Sequence, residues 1–221
     1  MEERYINPDS DGKFYGLQEM ARTNCGDCKG CHACCMGMGD SIRLDPYDLL
    51  QLREGLGTGF EQLLAEGRIA MTAEDGLLVP YLCMMKEGGA CGFLNEEGRC
   101  SIHSFRPGIC RLFPMGRDYS QGTISYICLT KLCPAPKSKI KVERWIGIED
   151  SLRYQSFVLA WHDLKRNLQR ELVHAGAEEA KQLNLYVISR FYACEDWKRE
   201  TFFDCFFQKV QTVYHAFGID T

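Results

Sequence analysis

Apolar positions in the last third of the chain recur at helical spacing. Phe157, Trp161, Leu164, Leu168 and Leu172 form one stripe, Ala180, Leu183, Val187, Phe191 and Cys194 a second, and Phe202, Phe206, Val210, Val213 and Phe217 a third. Three amphipathic helices are predicted, able to pack as a bundle. Upstream the pattern comes in shorter pieces. Asp45-Pro46-Tyr47-Asp48 sets a capping residue before a proline at the first helical position, and Leu49, Leu50 and Leu52 continue it as a short helix. Thr58-Gly59-Phe60-Glu61 reads as a capping box opening a second helix through Leu63 and Leu64 to Gly67. Brief extended segments follow at 68–72 and 77–81.

Cys91-Gly-Phe-Leu94 and Arg99-Cys-Ser-Ile-His103 flank the polar segment Asn95-Glu-Glu-Gly98, which fits a four-residue hairpin loop. With Leu94 opposite Arg99, Cys91 and Cys100 become diagonal neighbours on one face, roughly 7–8 Å apart at their backbones. The prolines of Cys133-Pro-Ala-Pro-Lys-Ser-Lys139 mark an exposed connection. The expected fold is α+β and helix-dominant. A cysteine-rich part with a short hairpin covers 1–138, and a helical part over 139–221 packs against it as one compact unit.

Composition narrows the chemistry. A chain of 221 residues can bury a core without crosslinks, so disulfides are not required for folding. The polar start, Met1 to Arg22, has no apolar stretch suited to a signal peptide, and no run approaches a membrane-spanning length. A cytosolic protein is expected, with no membrane partner and with cysteines held as thiols or metal ligands. The net charge is −4, and basic residues do not cluster among aromatics, which argues against nucleic acid.

Cysteine dominates what remains. The chain holds 13, and five fall together as Cys25, Cys28, Cys31, Cys34 and Cys35, in the pattern C-x2-C-x2-C-x2-C-C. Two residues between thiolates let a tight turn aim consecutive sulfurs at one point. Later positions extend the set: Cys91, Cys100, Cys110 within Arg106-Pro-Gly-Ile-Cys-Arg-Leu-Phe-Pro114, then Cys128 and Cys133. Cys28-x2-Cys31-x2-Cys34-Cys35, Ile42-x-Leu44, Cys91-x-Phe93-Leu94, Cys100-x-Ile102, Arg106-Pro107 and Cys110-Arg111-x-Phe113-Pro114 together resemble the YkgJ-type CxxCxxCC family of zinc- or iron-chelating proteins. The resemblance covers roughly residues 25 to 135. It implies metal binding and a sequence relationship to flagellin lysine-N-methylases, which carry an iron–sulfur cluster. Cys25, His32 and His103 depart from the family pattern, which leaves open whether Cys25 or His32 contributes to the site.

Counting ligands bears on the metal. Cys28, Cys31, Cys34, Cys35, Cys91, Cys100, Cys110 and Cys133 suffice for two four-cysteine sites, with Cys25 and Cys128 in reserve. Zinc sites usually pair two C-x2-C knuckles, and here only the first segment has them. Three cysteines at C-x2-C spacing with the remote Cys133-Pro134 are closer to the ferredoxin arrangement, so one or two iron–sulfur clusters of the 4Fe-4S type are favoured, in a redox or accessory role. Adjacent Cys34 and Cys35 are expected to serve different centres, or one is spare. Structural zinc is the first alternative, and an iron–sulfur-dependent protein methyltransferase-like enzyme the second. Arg106 and Arg111 bracket Cys110, where they either stabilise an anionic cluster or pair with surface carboxylates.

No catalytic residue can be assigned, and a protein or redox partner is the expected interaction. Gly55-Leu-Gly-Thr-Gly59 follows a leucine-rich helical stretch rather than a strand, so it reads as a helix–turn–helix connection, not a nucleotide loop. Cys83, Cys194 and Cys205 read as packed thiols. His162, His174 and His215 stand alone without a second ligand. Metal centres, rather than a large apolar core, are expected to organise the first two thirds.

Overall fold

The computed structural model describes residues 5–24, 26, 31–86, 89–133 and 138–219. The fold is α+β and helix-dominant, as expected. Strand β1 (Phe14–Tyr15) and strand β2 (Met20–Asn24) precede helix α1 (Pro46–Leu56) and helix α2 (Phe60–Ala65). The middle carries β3 (Ile69–Glu74), β4 (Leu77–Leu82), β5 (Met84–Lys86) and β6 (Ala90–Cys91), then helix α3 (Gly108–Leu112). Strands β7 (Met115–Asp118), β8 (Ser125–Cys128) and β9 (Ser138–Lys141) follow, and helices α4 (Val142–Ile146), α5 (Ser151–His174), α6 (Ala177–Val187) and α7 (Phe202–Phe217) complete the chain. All sheets are small and antiparallel: β1-β8-β7, β2 with β9, β3 with β4, and β5 with β6.

Helix α1 begins where its cap predicts. The Asp45 carboxylate accepts the Asp48 N–H at 2.8 Å, and the Asp48 carboxylate accepts the Asp45 N–H at 3.0 Å, so two of the unpaired donors at the helix start are satisfied reciprocally. Helix α2 starts differently from expectation. Gly59 is its N-cap without a side-chain bond, because the Thr58 hydroxyl turns back to the Leu56 carbonyl instead. Two of the glycines in 55–59 are needed for local geometry. A Cβ on Gly55 would sit 2.5 Å from the Phe105 ring, and Gly57 ends α1 in the left-handed conformation with φ 67°. The segment connects two helices.

The two extended segments form a hairpin across the turn Asp75-Gly76, both residues with positive φ. Asp-Gly between apolar runs is the strongest short-range hairpin signal, and it lies in the sequence. By contrast, the expected hairpin around residues 95–98 reduces to a single bridge with Leu94 opposite Cys100, one residue beyond the predicted register. The Asn95 side chain accepts the Arg99 N–H at 2.7 Å and the Arg99 carbonyl accepts the Asn95 N–H at 2.8 Å, so the loop closes over five residues rather than four.

The three apolar stripes become α5, α6 with a π-helical extension at Ile188–Tyr192, and α7. Phe157, Phe202 and Phe206 are fully buried, with ring centroids 4.6–6.0 Å apart. Such aromatic pairs add to their burial energy through edge-to-face contact. The core continues from there into the first part: Tyr47, Leu50, Leu52, Leu63, Ile69, Leu77, Val79 and Leu82 belong to the same buried cluster. Metal centres are therefore not what organises the first two thirds, because α1 and the β3–β4 hairpin bring apolar surface of their own. Asn184 of α6 fixes the hairpin by accepting the Leu78 N–H and donating to the Gly76 carbonyl. Strand β2 pairs with β9 across the boundary expected near 138.

Candidate metal centre

One cavity of about 70 Å3 gathers the described cysteines of the motif. Cys31, Cys34, Cys35, Cys91, Cys100 and Cys110 line it, together with His32, His103, Arg99 and Arg106. Four local structures supply them. A 3-10 turn at Ala33–Cys35, closed by the Cys35 N–H on the His32 carbonyl, presents the adjacent pair. Met36 bridges to Ala90 and the Gly37 N–H donates to the Gly89 carbonyl, so this turn is docked on β6, which carries Cys91. Cys100 sits at the bridge opposite Leu94, and Cys110 lies on α3.

Helix α3 is held from both ends. At its start the buried Asp48 carboxylate accepts the Gly108 N–H at 2.7 Å, and at its end the Trp145 indole donates to the Leu112 carbonyl at 3.0 Å. A side chain at Gly108 would overlap the Tyr154 hydroxyl of α5. Cys110 is thus placed by α1, α4 and α5 together, from residues over a hundred positions apart.

The Cys34 and Cys35 sulfurs stand 4.0 Å apart. The Cys35 thiol hydrogen-bonds to Cys34, which together with the Arg106 charge lowers the Cys34 thiol to about 7, while that bond and burial push Cys35 far up. Burial raises Cys91 and Cys100, and burial plus the nearby Asp48 charge raises Cys110 further. A metal ion reverses this balance by replacing protons on the sulfurs. Among the described residues no group of three or more His, Cys, Asp or Glu side chains is arranged to hold a single metal ion. The thiols surround a common space rather than converge on a point.

Arg106 and Arg111 have no carboxylate within ion-pair distance among the described residues. Arg106 contacts the His103 ring and lines the cavity, and Arg111 donates to the Ser104 carbonyl at 3.1 Å on the other side of α3. Burial and the neighbouring Arg106 charge depress the Arg111 guanidinium.

Of the remaining candidate ligands, Cys25, Cys28 and the Pro134 of the remote pair lie outside the described residues. Cys128 and Cys133 are buried but do not line the cavity. Cys128 instead sits on β8 with its sulfur 3.5 Å from the Arg22 carbonyl. Cys83, Cys194 and Cys205 also lie away from the cavity. Met84 and Trp145 are lining residues that no motif announced. Met84 is brought in by pairing opposite Cys91, and Trp145 by the return of α4. No helix among the described residues is long and apolar enough to cross a membrane.

Neither a curated protein nor a solved structure matches the chain. A family model does: residues 27–129 match CxxCxxCC, whose description is "Putative zinc- or iron-chelating domain". The gathered cysteines all lie within that span, over which the chain is similar to the CxxCxxCC family.

Proposed function

We propose that this metal-chelating domain holds an iron–sulfur cluster of the 4Fe-4S type and serves a redox or accessory role. The observation that carries the reading is six cysteines around one cavity without three donors converging on one ion among the described residues. A tetrahedral zinc site needs four donors about 2.3 Å from a single point, whereas a cluster takes each thiolate at a separate iron. Arg106 supports it as well. A guanidinium lining the cavity with no carboxylate within ion-pair distance among the described residues suits a centre of net negative charge, which four thiolates on a cluster supply. Cys34 or Cys35 with Cys91, Cys100 and Cys110 would supply the four thiolates, with Cys31 a further donor at the cavity, and the cluster would supply one-electron transfer.

Zinc has one observation in its favour. The 4.0 Å between the Cys34 and Cys35 sulfurs is close to the edge of about 3.8 Å implied by tetrahedral zinc–thiolate bonds.

Anaerobic purification followed by visible absorption and metal analysis separates the two. Brown protein with iron and acid-labile sulfide is the expected result, and colourless protein with stoichiometric zinc overturns it. Cys91→Ser and Cys110→Ser should each lose the metal. Retention of full metal content in both variants would remove these residues from the ligand set.

A further inference from the structure

A second, larger cavity lies on the far side of α3 from the metal centre. It measures about 560 Å3, within the roughly 300–1,000 Å3 of small-molecule sites, and Arg111 lines it while the preceding Cys110 lines the metal cavity. The rings of Tyr47 and Phe203, 5.4 Å apart and nearly parallel, form one wall. The other two arginines on this cavity are already committed: Arg199 pairs with Glu54 at 2.8 Å, and Arg153 with Asp204. Among the described residues Arg111 has only the Ser104 carbonyl as a hydrogen-bond acceptor, and its Nε is buried without a partner. Gln51, 5% exposed and lining the same cavity, likewise has a buried amide nitrogen without a partner. Buried donors left unsatisfied are costly and call for acceptors.

Charge decides which acceptors. Glu149 and Glu200 are exposed at this cavity and have no ion-pair partner among the described residues, and Asp150 beside them accepts the Arg153 N–H as the cap of α5. With Arg153 and Arg199 neutralised, the cavity offers one unpaired guanidinium and two uncommitted carboxylates. A dianion such as phosphate would gain Arg111 but be repelled by the acids. A ligand carrying a carboxylate and an ammonium satisfies both sides. We propose that this cavity is a binding site for a small zwitterion of the α-amino acid class, its carboxylate on Arg111, its ammonium between Glu149 and Glu200, and its side chain against Tyr47 and Phe203. The proposal is independent of which metal the neighbouring centre holds.

The metal-loaded protein is screened with the common free amino acids by thermal shift and titrated calorimetrically with those that raise the melting temperature. At least one should bind. Its N-acetyl derivative and its amide, which each lack one charge, should bind at least about tenfold more weakly, as loss of a charged hydrogen bond implies. Glu200→Gln and Glu149→Gln, both on the surface, should weaken the free amino acid without altering metal content, and Arg111→Leu should abolish its binding. Absence of binding by all the free amino acids overturns the proposal. So does inorganic phosphate binding as tightly as the best of them, or affinity unchanged by both glutamate substitutions, which hold even where the Arg111 variant does not fold.

Discussion

The helical C-terminal region and the cysteine-lined cavity bury side chains on opposite terms. In α5 and α7, Phe157, Phe202 and Phe206 satisfy one another, ring against ring, and nothing further is required. Around the cavity, thiols raised by burial face an inner space beside Arg106, which has no carboxylate within ion-pair distance among the described residues. One region is complete as protein alone, and the other is complete only with a group that takes up its sulfurs. Stability and chemistry are thereby assigned to different parts of one continuous core.

That division can be broken or sharpened by substitution. The largest expected effect is on the aromatic side. Phe206→Ala should cost about 3–5 kcal/mol in urea unfolding, by lost burial and the cavity left behind, with metal per folded protein unchanged. Falling metal stoichiometry would show the two regions to be inseparable. Gly108→Ala comes next, because its methyl group would force α3 away from the Tyr154 hydroxyl. A loss of about 1–3 kcal/mol is expected, now accompanied by weaker metal retention since Cys110 moves with the helix. A variant destabilised to that extent yet holding metal normally would separate α3 packing from the centre.

A smaller effect should appear in the pH dependence. Burial raises Asp45 to about 6, against an unfolded value near 4. The folded state therefore binds this proton more tightly, so the associated stability is full below about pH 4 and is lost as pH rises through about 6. Asparagine keeps an oxygen for the cap and cannot titrate. The stability of the wild type relative to Asp45→Asn should thus decline between pH 4 and pH 7 in urea melts. A constant difference would contradict the raised carboxyl. The smallest effect is expected at Cys194, whose sulfur lies 3.0 Å from the Lys209 ammonium and away from the cavity. Cys194→Ser should leave metal content unchanged, and any loss measured by metal analysis would extend the ligand set into the helical region.

Legibility in the sequence followed the range of the interaction. The Asp45 cap, the three helical stripes and the Cys34-Cys35 turn depend on neighbours within a few residues, and all were readable. The Asp75-Gly76 turn was equally local, and its hairpin was available from the same signals. The Leu94 to Cys100 register was not, because a single Asn95 side-chain bond shifts it by one residue. Trp145 gave no spacing signal, since the Leu112 carbonyl far back along the chain anchors it, and Met84 enters the cavity only through the β5–β6 pairing opposite Cys91.

By itself, the sequence determined the chemistry: the type and number of sulfur donors, the family pattern that groups them, and the periodicity that makes α5 and α7 amphipathic. These are properties of residue identity and of contacts within a turn or two. Only the tertiary structure decided which thiols share a cavity, because the position of Cys110 depends on Asp48, Trp145 and Tyr154 from three other helices. It also decided that one face of α3 turns a thiol to the cysteine-lined cavity while the next residue turns a guanidinium to a separate chamber. The physical reason is that burial and pairing are set by every element packed against a side chain, and no single stretch of sequence contains them.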